Sequence, residues 1–350
     1  VTEGVPVRTQ ISLAGLTTMG VGGPAERLVE VHTTAELVGA VREAGERRDA
    51  VLLIGGGSNL VVADDGFPGL VIHVRTSGIE RVADRLVVAA GESWDTLVSR
   101  AVELRLAGIE CLAGIPGLVG ATPIQNVGAY GQEVADVIAR VRAYDRSCGE
   151  LRDLSPAECA FSYRSSRFKS EAGRWVVTEV EFALRAGALS EPLRYAELTR
   201  EVGGQSRAPL AEVREAVLAL RRRKGMVLDP SDPDTRSSGS FFTNPVLDAD
   251  TFAALSERAS GVVPSYPEPD DHHKVPAAWL IEHAGFTKGY ATKAGAGGAR
   301  LSTKHVLAVC NPGDASATDV LALAREIRDR VHERFGVTLV NEPVLVGLAL

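Results

Sequence analysis

The stretch Gly114-Ile-Pro-Gly-Leu-Val-Gly-Ala-Thr-Pro-Ile-Gln-Asn-Val-Gly-Ala-Tyr-Gly131 decides the fold. Five glycines and two prolines interrupt an otherwise apolar run, a pattern that no regular helix or strand tolerates. Bare backbone of this kind suits a long flat ligand that needs many main-chain hydrogen bonds at close approach, and it is costly in a core that only needs filling. A second glycine-rich stretch, Ile54-Gly-Gly-Gly-Ser-Asn-Leu60, follows a short apolar run and could offer N–H donors to a diphosphate. Alone it reads as an ordinary strand-ending turn. A dinucleotide fingerprint would need a glycine where Leu60 stands, and a P-loop would need Gly-Lys-Ser/Thr.

The flanking sequence alternates strand and helix. Thr33 to Glu36 has capping-box spacing, an amphipathic helix follows to about Arg47, and Val51 to Ile54 is a short buried strand. Strands are expected at Leu70 to Val74 and Arg85 to Ala90. Ser93 then caps a helix whose Trp94, Leu97, Val98, Ala101 and Val102 share one face. Beyond the glycine segment, Val137 to Tyr144 and Trp175 to Leu184 read as strands, the latter setting Val177, Glu179 and Glu181 against Val180 and Phe182. Leu210 to Lys224 reads as a helix, Gly225 to Gly239 as an interdomain crossing, Thr318 to Phe335 as a helix and Thr338 to Val346 as the closing strand.

At 350 residues the chain exceeds what one core usually organises, so two or three domains are expected. Apolar residues at 45 %, charged residues at 24 % and a net charge of -7 fit a folded enzyme and argue against a general nucleic-acid binder. The four cysteines form no C-x-x-C pair, which suggests reduced thiols and no zinc site. No leader and no apolar run of membrane-spanning length is read, so a soluble cytoplasmic protein without membrane insertion is expected. Asp271-His272-His273 invites a metal reading, but neighbours on a Pro-rich loop rarely aim at one ion, so the pair is read as solvent-exposed and no metal is assigned. Ser302, Lys304 and His305 lack the elbow of a hydrolase.

The chain resembles the UDP-N-acetylenolpyruvoylglucosamine reductase family nearly end to end. The likeness rests on Thr17-Thr-Met-Gly-Val-Gly-Gly-Pro-Ala25, the Gly55 turn, Gly114 to Glu133, Phe161-Ser-Tyr-Arg-Ser-Ser166, Arg223-Lys-Gly-Met-Val-Leu-Asp-Pro230, Gly239-Ser-Phe-Phe-Thr-Asn-Pro245, Ala278-Trp-Leu-Ile-Glu-His-Ala-Gly285 and Asn341-Glu-Pro343. The resemblance implies an α+β chain: a two-subdomain FAD-binding fold of the vanillyl-alcohol oxidase type, plus a third α+β substrate-binding domain. The implied boundaries are 1–75 and 76–228 for the FAD subdomains, 229–330 for the substrate domain, and 331–350 for a returning helix end and strand. The family often has Gly-Gly where Gly120-Ala121 stands.

The activity implied is NADPH-dependent reduction of the enolpyruvyl double bond of UDP-N-acetylglucosamine enolpyruvate, in peptidoglycan precursor synthesis, by a monomer. A hydride from FAD reaches the terminal carbon, charge gathers on the carboxylate as an enediolate, and an acid protonates the other carbon. By the resemblance Arg164 holds the carboxylate, Ser240 is the proton donor and Glu342 joins Arg164 in handling the enediolate. FAD contacts are implied at Ile54, Gly55, Gly56, Gly57, Ser58, Asn59 and Leu60, and at Gly114, Ile115, Pro116, Gly117, Gly120, Ala121, Thr122, Asn126, Gly128 and Ala129. Tyr130, Tyr163, Tyr195, Lys224 and Asn244 are implied to contact the sugar nucleotide, Tyr195 as part of a tyrosine loop. Two rivals stand beside this reading, an FAD oxidase of an alcohol or sugar and a non-catalytic nucleotide-sugar module.

Overall fold

A computed structural model describes residues 5–292 and 298–350. The chain divides into two compact units, each assembled from separate stretches: 1–11, 25–56 and 68–223 in one, 12–24, 57–67 and 224–350 in the other. Four of the five crossings bracket two short excursions, 12–24 and 57–67, and one of them falls between Gly56 and Gly57.

The first unit holds two larger sheets and two two-stranded ones. One of the larger is four-stranded, in the order Arg8–Ser12, Pro24–Val31, Phe67–Val74, Val51–Ile54, with the last two parallel. The helix Thr34–Arg47 opens on the expected capping box, Thr33 accepting from the Glu36 N–H and Glu36 from the Thr33 N–H. It buries Leu37, Ala40, Val41 and Ala44 against Val29, Val31, Leu70 and Ile72. The other sheet is antiparallel and five-stranded, in the order Glu150–Leu154, Ile138–Asp145, Trp175–Ala183, Arg85–Ala89, Ile79–Val82. Along its middle strand Val180 and Phe182 are fully buried while Glu179 and Glu181 pair with Arg140. The alternation does not reach Val177. A bulge at Thr178 shifts the register, so Arg142 faces Glu179 but Ala143 faces Val177, and Val176 and Val177 are both buried. The helix Trp94–Glu103 is capped by Ser93 and buries Trp94, Leu97, Val98 and Ala101.

The second unit is built around the helix Ala317–Phe335, whose Val320, Leu323, Ile327 and Val331 pack in one core with Phe241, Phe242, Leu280 and Leu301. Ser316 and Asp319 form its capping box, and Gly336 closes it at φ +74. The closing strand is shorter than its sequence suggests. Only Val344–Val346 is regular, running parallel to Leu60–Val62, because Pro343 has no N–H to give a ladder and Asn341 turns its amide onto the Pro343 carbonyl at 2.8 Å. His272 and His273 are likewise not on an exposed loop. They sit half-buried in the strand His272–Lys274, flanked on both sides by strands, and His273 stacks on Phe252 at 4.1 Å. Among the described residues no helix is long and apolar enough to cross a membrane.

Asp64 supplies a second cap to the long helix, accepting from the Ala317 N–H at 2.8 Å and from the Thr318 N–H and hydroxyl at 3.0 and 2.7 Å. Burial works against its charge, but the bonds from Thr318 and Ala317 outweigh that and hold its carboxyl below the ordinary range. Asp64→Ala is expected to cost about 1 kcal/mol in urea unfolding at neutral pH. A group with a depressed folded value stabilises above its unfolded value and loses that contribution as pH falls, so the gap between parent and variant should close below about pH 4. An unchanged gap at low pH would show that the carboxylate charge is not what caps the helix.

Candidate active site

In the first unit the two glycine segments meet backbone to backbone. A methyl group on Gly56 would stand 3.1 Å from the Gly117 Cα, and one on Gly55 2.8 Å from a Leu118 methyl. The longer segment is also laid along residues 90–94. Leu118 bridges Ser93, the Val119 and Gly120 N–H groups donate to the Glu92 and Ala90 carbonyls, and the Trp94 N–H donates to Gly117. A Cβ on Gly120 would come within 2.5 Å of the Ala90 Cβ, whereas Ala121 is exposed. That contrast explains how this chain carries Ala at the second of two positions where glycine is frequent. Ile54 and Thr122 turn their side chains inward, the Thr122 hydroxyl donating to the Val119 carbonyl at 2.8 Å, while Ile115 and Pro116 are half-buried.

Neither glycine segment contains a carboxylate, lysine, arginine or histidine. Glycine-rich backbone whose own residues carry no charge fits a flat cofactor carrying a diphosphate, so the residues present suit FAD.

Arg164 lies at the tip of a tight turn. Ser162 and Ser165 exchange backbone hydrogen bonds at 3.0 and 3.2 Å around Tyr163 and Arg164, and Arg164 itself adopts a left-handed φ of +51. Its guanidinium donates to the Gly128 carbonyl at 2.7 Å and to the Asn126 carbonyl at 3.4 Å, while Lys169 Nζ donates to the Arg164 carbonyl at 2.9 Å. The structure thus joins the arginine turn to the end of the glycine segment, with Gly128–Ala129 paired to Gln132–Glu133. Asn126 and Tyr130 share the left-handed conformation, at φ +46 and +50. Three non-glycine residues strained in one cluster mark a place where geometry is held against local preference. Exposed Tyr195 meets the edge of the Tyr130 ring at 5.3 Å.

In the second unit Gly57 (φ +59) packs so tightly that a Cβ would fall 1.9 Å from the Leu16 carbonyl oxygen. Leu60 starts the strand Leu60–Val62, and just before it the Asn59 carbonyl accepts from the Val344 N–H at 2.9 Å while the Asn59 amide reaches the Glu342 carbonyl at 3.4 Å. The segment that holds Glu342 pairs with the segment that holds Ser240. Phe242 bridges Asn341, and the Glu342 N–H donates to the Phe241 carbonyl at 2.8 Å, which sets half-buried Ser240 and Glu342 one register step apart. Asn244 Oδ1 accepts from the Ala277 N–H at 2.9 Å, at the start of the helix Ala277–His283. Burial, with Lys224 and Lys288 nearby, pushes the His305 imidazole down to about 4, so the ring is neutral at physiological pH beside two cations. Ser302 and Lys304 are structural here. The Ser302 hydroxyl accepts from the Lys304 and His305 N–H groups, and Lys304 pairs with Asp232.

Several residues that shape the site escaped the sequence. Asp95 accepts from the Gly114 N–H at 2.7 Å and from Arg214 at 2.9 Å, and its one signal was an acid in the first turn of a helix. Glu110 is fully buried, accepting from the Gly108 N–H, the Gln132 amide and the Glu191 N–H, and had no signal at all.

The fold and the paired glycine segments define an FAD-dependent oxidoreductase. A family model described as an FAD binding domain matches residues 10–155, and one described as the C-terminal domain of UDP-N-acetylenolpyruvoylglucosamine reductase matches 230–346. The chain is 56 % identical over 347 residues to the UDP-N-acetylenolpyruvoylglucosamine reductase of Streptomyces coelicolor, covering 97 % of this chain and 90 % of that one. It is 53 % identical to the one of Thermobifida fusca, covering 97 % and 98 %. The crystal structure of the reductase of that name from Thermus caldophilus superposes with a TM-score of 0.68 at 28 % identity, covering 98 % of this chain and 99 % of that chain. The chain belongs to the UDP-N-acetylenolpyruvoylglucosamine reductase family, which sets aside the oxidase and the non-catalytic readings.

If the glycine turn is fixed by backbone packing, Gly57→Ala should lose at least about 1 kcal/mol, from the left-handed φ alone. Gly39→Ala, inside the helix Thr34–Arg47 with nothing within 4 Å of the new methyl, should instead gain about 0.5–1 kcal/mol. Thermal unfolding of the two variants reads the contrast, and a Gly57→Ala protein as stable as its parent would contradict it.

Proposed function

We propose that this protein reduces the enolpyruvyl double bond of UDP-N-acetylglucosamine enolpyruvate to give UDP-N-acetylmuramate, with NADPH as electron donor, in cytoplasmic peptidoglycan precursor synthesis. The observation that carries the reading is the pairing of the segments that hold Ser240 and Glu342, which brings these two residues within one register step of each other from distant parts of the chain. Held by the glycine segments, FAD would accept a hydride from NADPH and deliver one to the substrate. The chain's own groups do the rest. Arg164, fixed by two carbonyls, presents a planar fork to the substrate carboxylate and offsets the negative charge that gathers there. Ser240 Oγ gives its proton to the carbon next to that carboxylate. A hydroxyl is a sensible acid at this point because an enediolate carbon is far more basic than the groups histidine usually protonates.

Glu342 lies beside Ser240 in register and shares the handling of the enediolate with Arg164. Lys224, in the cationic neighbourhood of His305, suits the diphosphate of a sugar nucleotide. Tyr130, Tyr163, Tyr195 and Asn244 are assigned to substrate contacts, and residues 229–330 to the substrate-binding domain of a monomeric enzyme.

The purified protein should be yellow. Anaerobic NADPH should bleach the flavin, and adding UDP-N-acetylglucosamine enolpyruvate should restore its absorbance. Ser240→Ala is expected to keep the first half-reaction while slowing the second by about a hundredfold or more. Equal losses in both halves would make Ser240 a structural residue.

A further inference from the structure

Arg164 reaches its carbonyl partners through residues that take no part in the chemistry, and the chain of contacts can be traced. The Asn126 side chain is engaged at both ends. Its Nδ2 donates to Glu133 Oε2 at 2.7 Å and to the Ser162 carbonyl at 3.2 Å, and its Oδ1 accepts from the Ala135 N–H at 3.1 Å. Asn126 is also buried, so an amide that spends both of its hydrogens inside the protein has little left for a cofactor. What the amide does is tie the glycine segment to Ser162, the base of the turn that carries Arg164, while the Asn126 carbonyl takes one arm of the Arg164 guanidinium. Glu133 faces Gly128 across the Gly128–Ala129 and Gln132–Glu133 pair, and Gly128 supplies the second carbonyl. A Cβ on Gly128 would lie 2.8 Å from Glu133 Cγ and 3.2 Å from Arg164 Nη1, so both side chains close over that bare backbone.

We propose that Glu133 is a positioning residue for Arg164, acting through Asn126 and Gly128. This inference rests on the reading of Arg164 given above. The charged hydrogen bond from the Asn126 amide to Glu133 fixes a left-handed backbone, at φ +46, which asparagine tolerates but does not hold by itself. Without that acceptor the amide keeps only its bond to Ser162, and the two carbonyls that aim the guanidinium lose their fixed spacing. Displacement of a charge-stabilising group by even a fraction of an ångström is felt in the transition state more than in binding.

The test measures the two half-reactions separately in the FAD-loaded enzyme. Glu133→Ala should leave FAD occupancy and flavin reduction by NADPH within about twofold of the parent and slow flavin reoxidation by the enolpyruvyl substrate about ten- to a hundredfold. Glu133→Gln still offers an acceptor to the Asn126 amide and should recover most of that rate. Should the alanine variant fail to fold, Glu133→Asp, which keeps the charge but draws the oxygens back, carries the same expectation as alanine. In combination with Arg164→Lys the losses should be less than additive, because both changes act on one group. Equal loss in both half-reactions, loss of FAD, or a Glu133→Ala enzyme with normal reoxidation beside a crippled Arg164→Lys would each overturn the proposal. Normal reoxidation in Arg164→Lys would instead remove Arg164 from the chemistry, and the positioning role would go with it.

Discussion

The contact on which the rest depends is the approach of two pieces of backbone, Gly55-Gly56 against Gly117-Leu118. At 3.1 Å from a notional Gly56 Cβ to the Gly117 Cα the contact is tighter than ordinary packing, so even a methyl there would push the segments apart by a few tenths of an ångström. Two parts of the first unit set that approach. The parallel strand pair Val51–Ile54 and Phe67–Val74 delivers Gly55, and the run from Ala90 to Trp94 holds residues 117–120 by four backbone hydrogen bonds or bridges. Asp95 anchors the segment's first N–H, and Arg214 anchors Asp95. The ion pair is partly exposed and contributes little to stability by itself. Its value is in fixing where the segment begins.

The same segment has a second task at its far end. From Asn126 onward, still closely packed, the chain takes left-handed conformations, and there its carbonyls accept from Arg164. Donation to two backbone carbonyls fixes the direction of both terminal nitrogens of the guanidinium. Backbone carbonyls can be aimed only by fixing φ and ψ, and that is why the strain at Asn126, Tyr130 and Arg164 accompanies the grip.

Much of the scaffold was legible because it follows from local rules. The capping box at Thr33, the cap at Ser93, the long last helix and the central strand Trp175–Ala183 are all set by periodicity or short-range hydrogen bonding, and each lies within a residue or two of its expected ends. Where long-range pairing decides, the reading failed. The bulge at Thr178 depends on what the neighbouring strand does, and nothing within Trp175–Ala183 announces it. The closing strand breaks at Pro343, which a sequence reading could have honoured. His272 and His273 looked like loop because prolines and aspartates surround them, yet pairing on both sides makes them strand. For the site, the glycine composition pointed to two segments that the structure brings together, and for a mixed reason. Gly56, Gly57 and Gly120 are demanded by neighbouring protein atoms, so their scarcity of side chain serves the fold first and a ligand by consequence.

That last point changes how such a motif should be read. A glycine is commonly assigned to a ligand because the ligand's phosphate needs the space, but here the protein already fills the space at Gly57, where the Leu16 oxygen would be 1.9 Å from a Cβ. What the proposed cofactor would meet is then the backbone of the turn, whose conformation the packing fixes in advance. Preorganised backbone of this kind costs no reordering when an anion arrives, and it is worth more to binding than flexible backbone. The same logic runs on to the chemical groups. The carbonyl of Asn59 accepts from the Val344 N–H and its amide reaches the Glu342 carbonyl, so the turn that begins at Gly57 also sets the height of the segment carrying Glu342, and through Phe241 that of Ser240. In the second unit the placement of the proposed acid is therefore a continuation of the backbone constraint at the glycine turn, reached in three hydrogen-bonded steps.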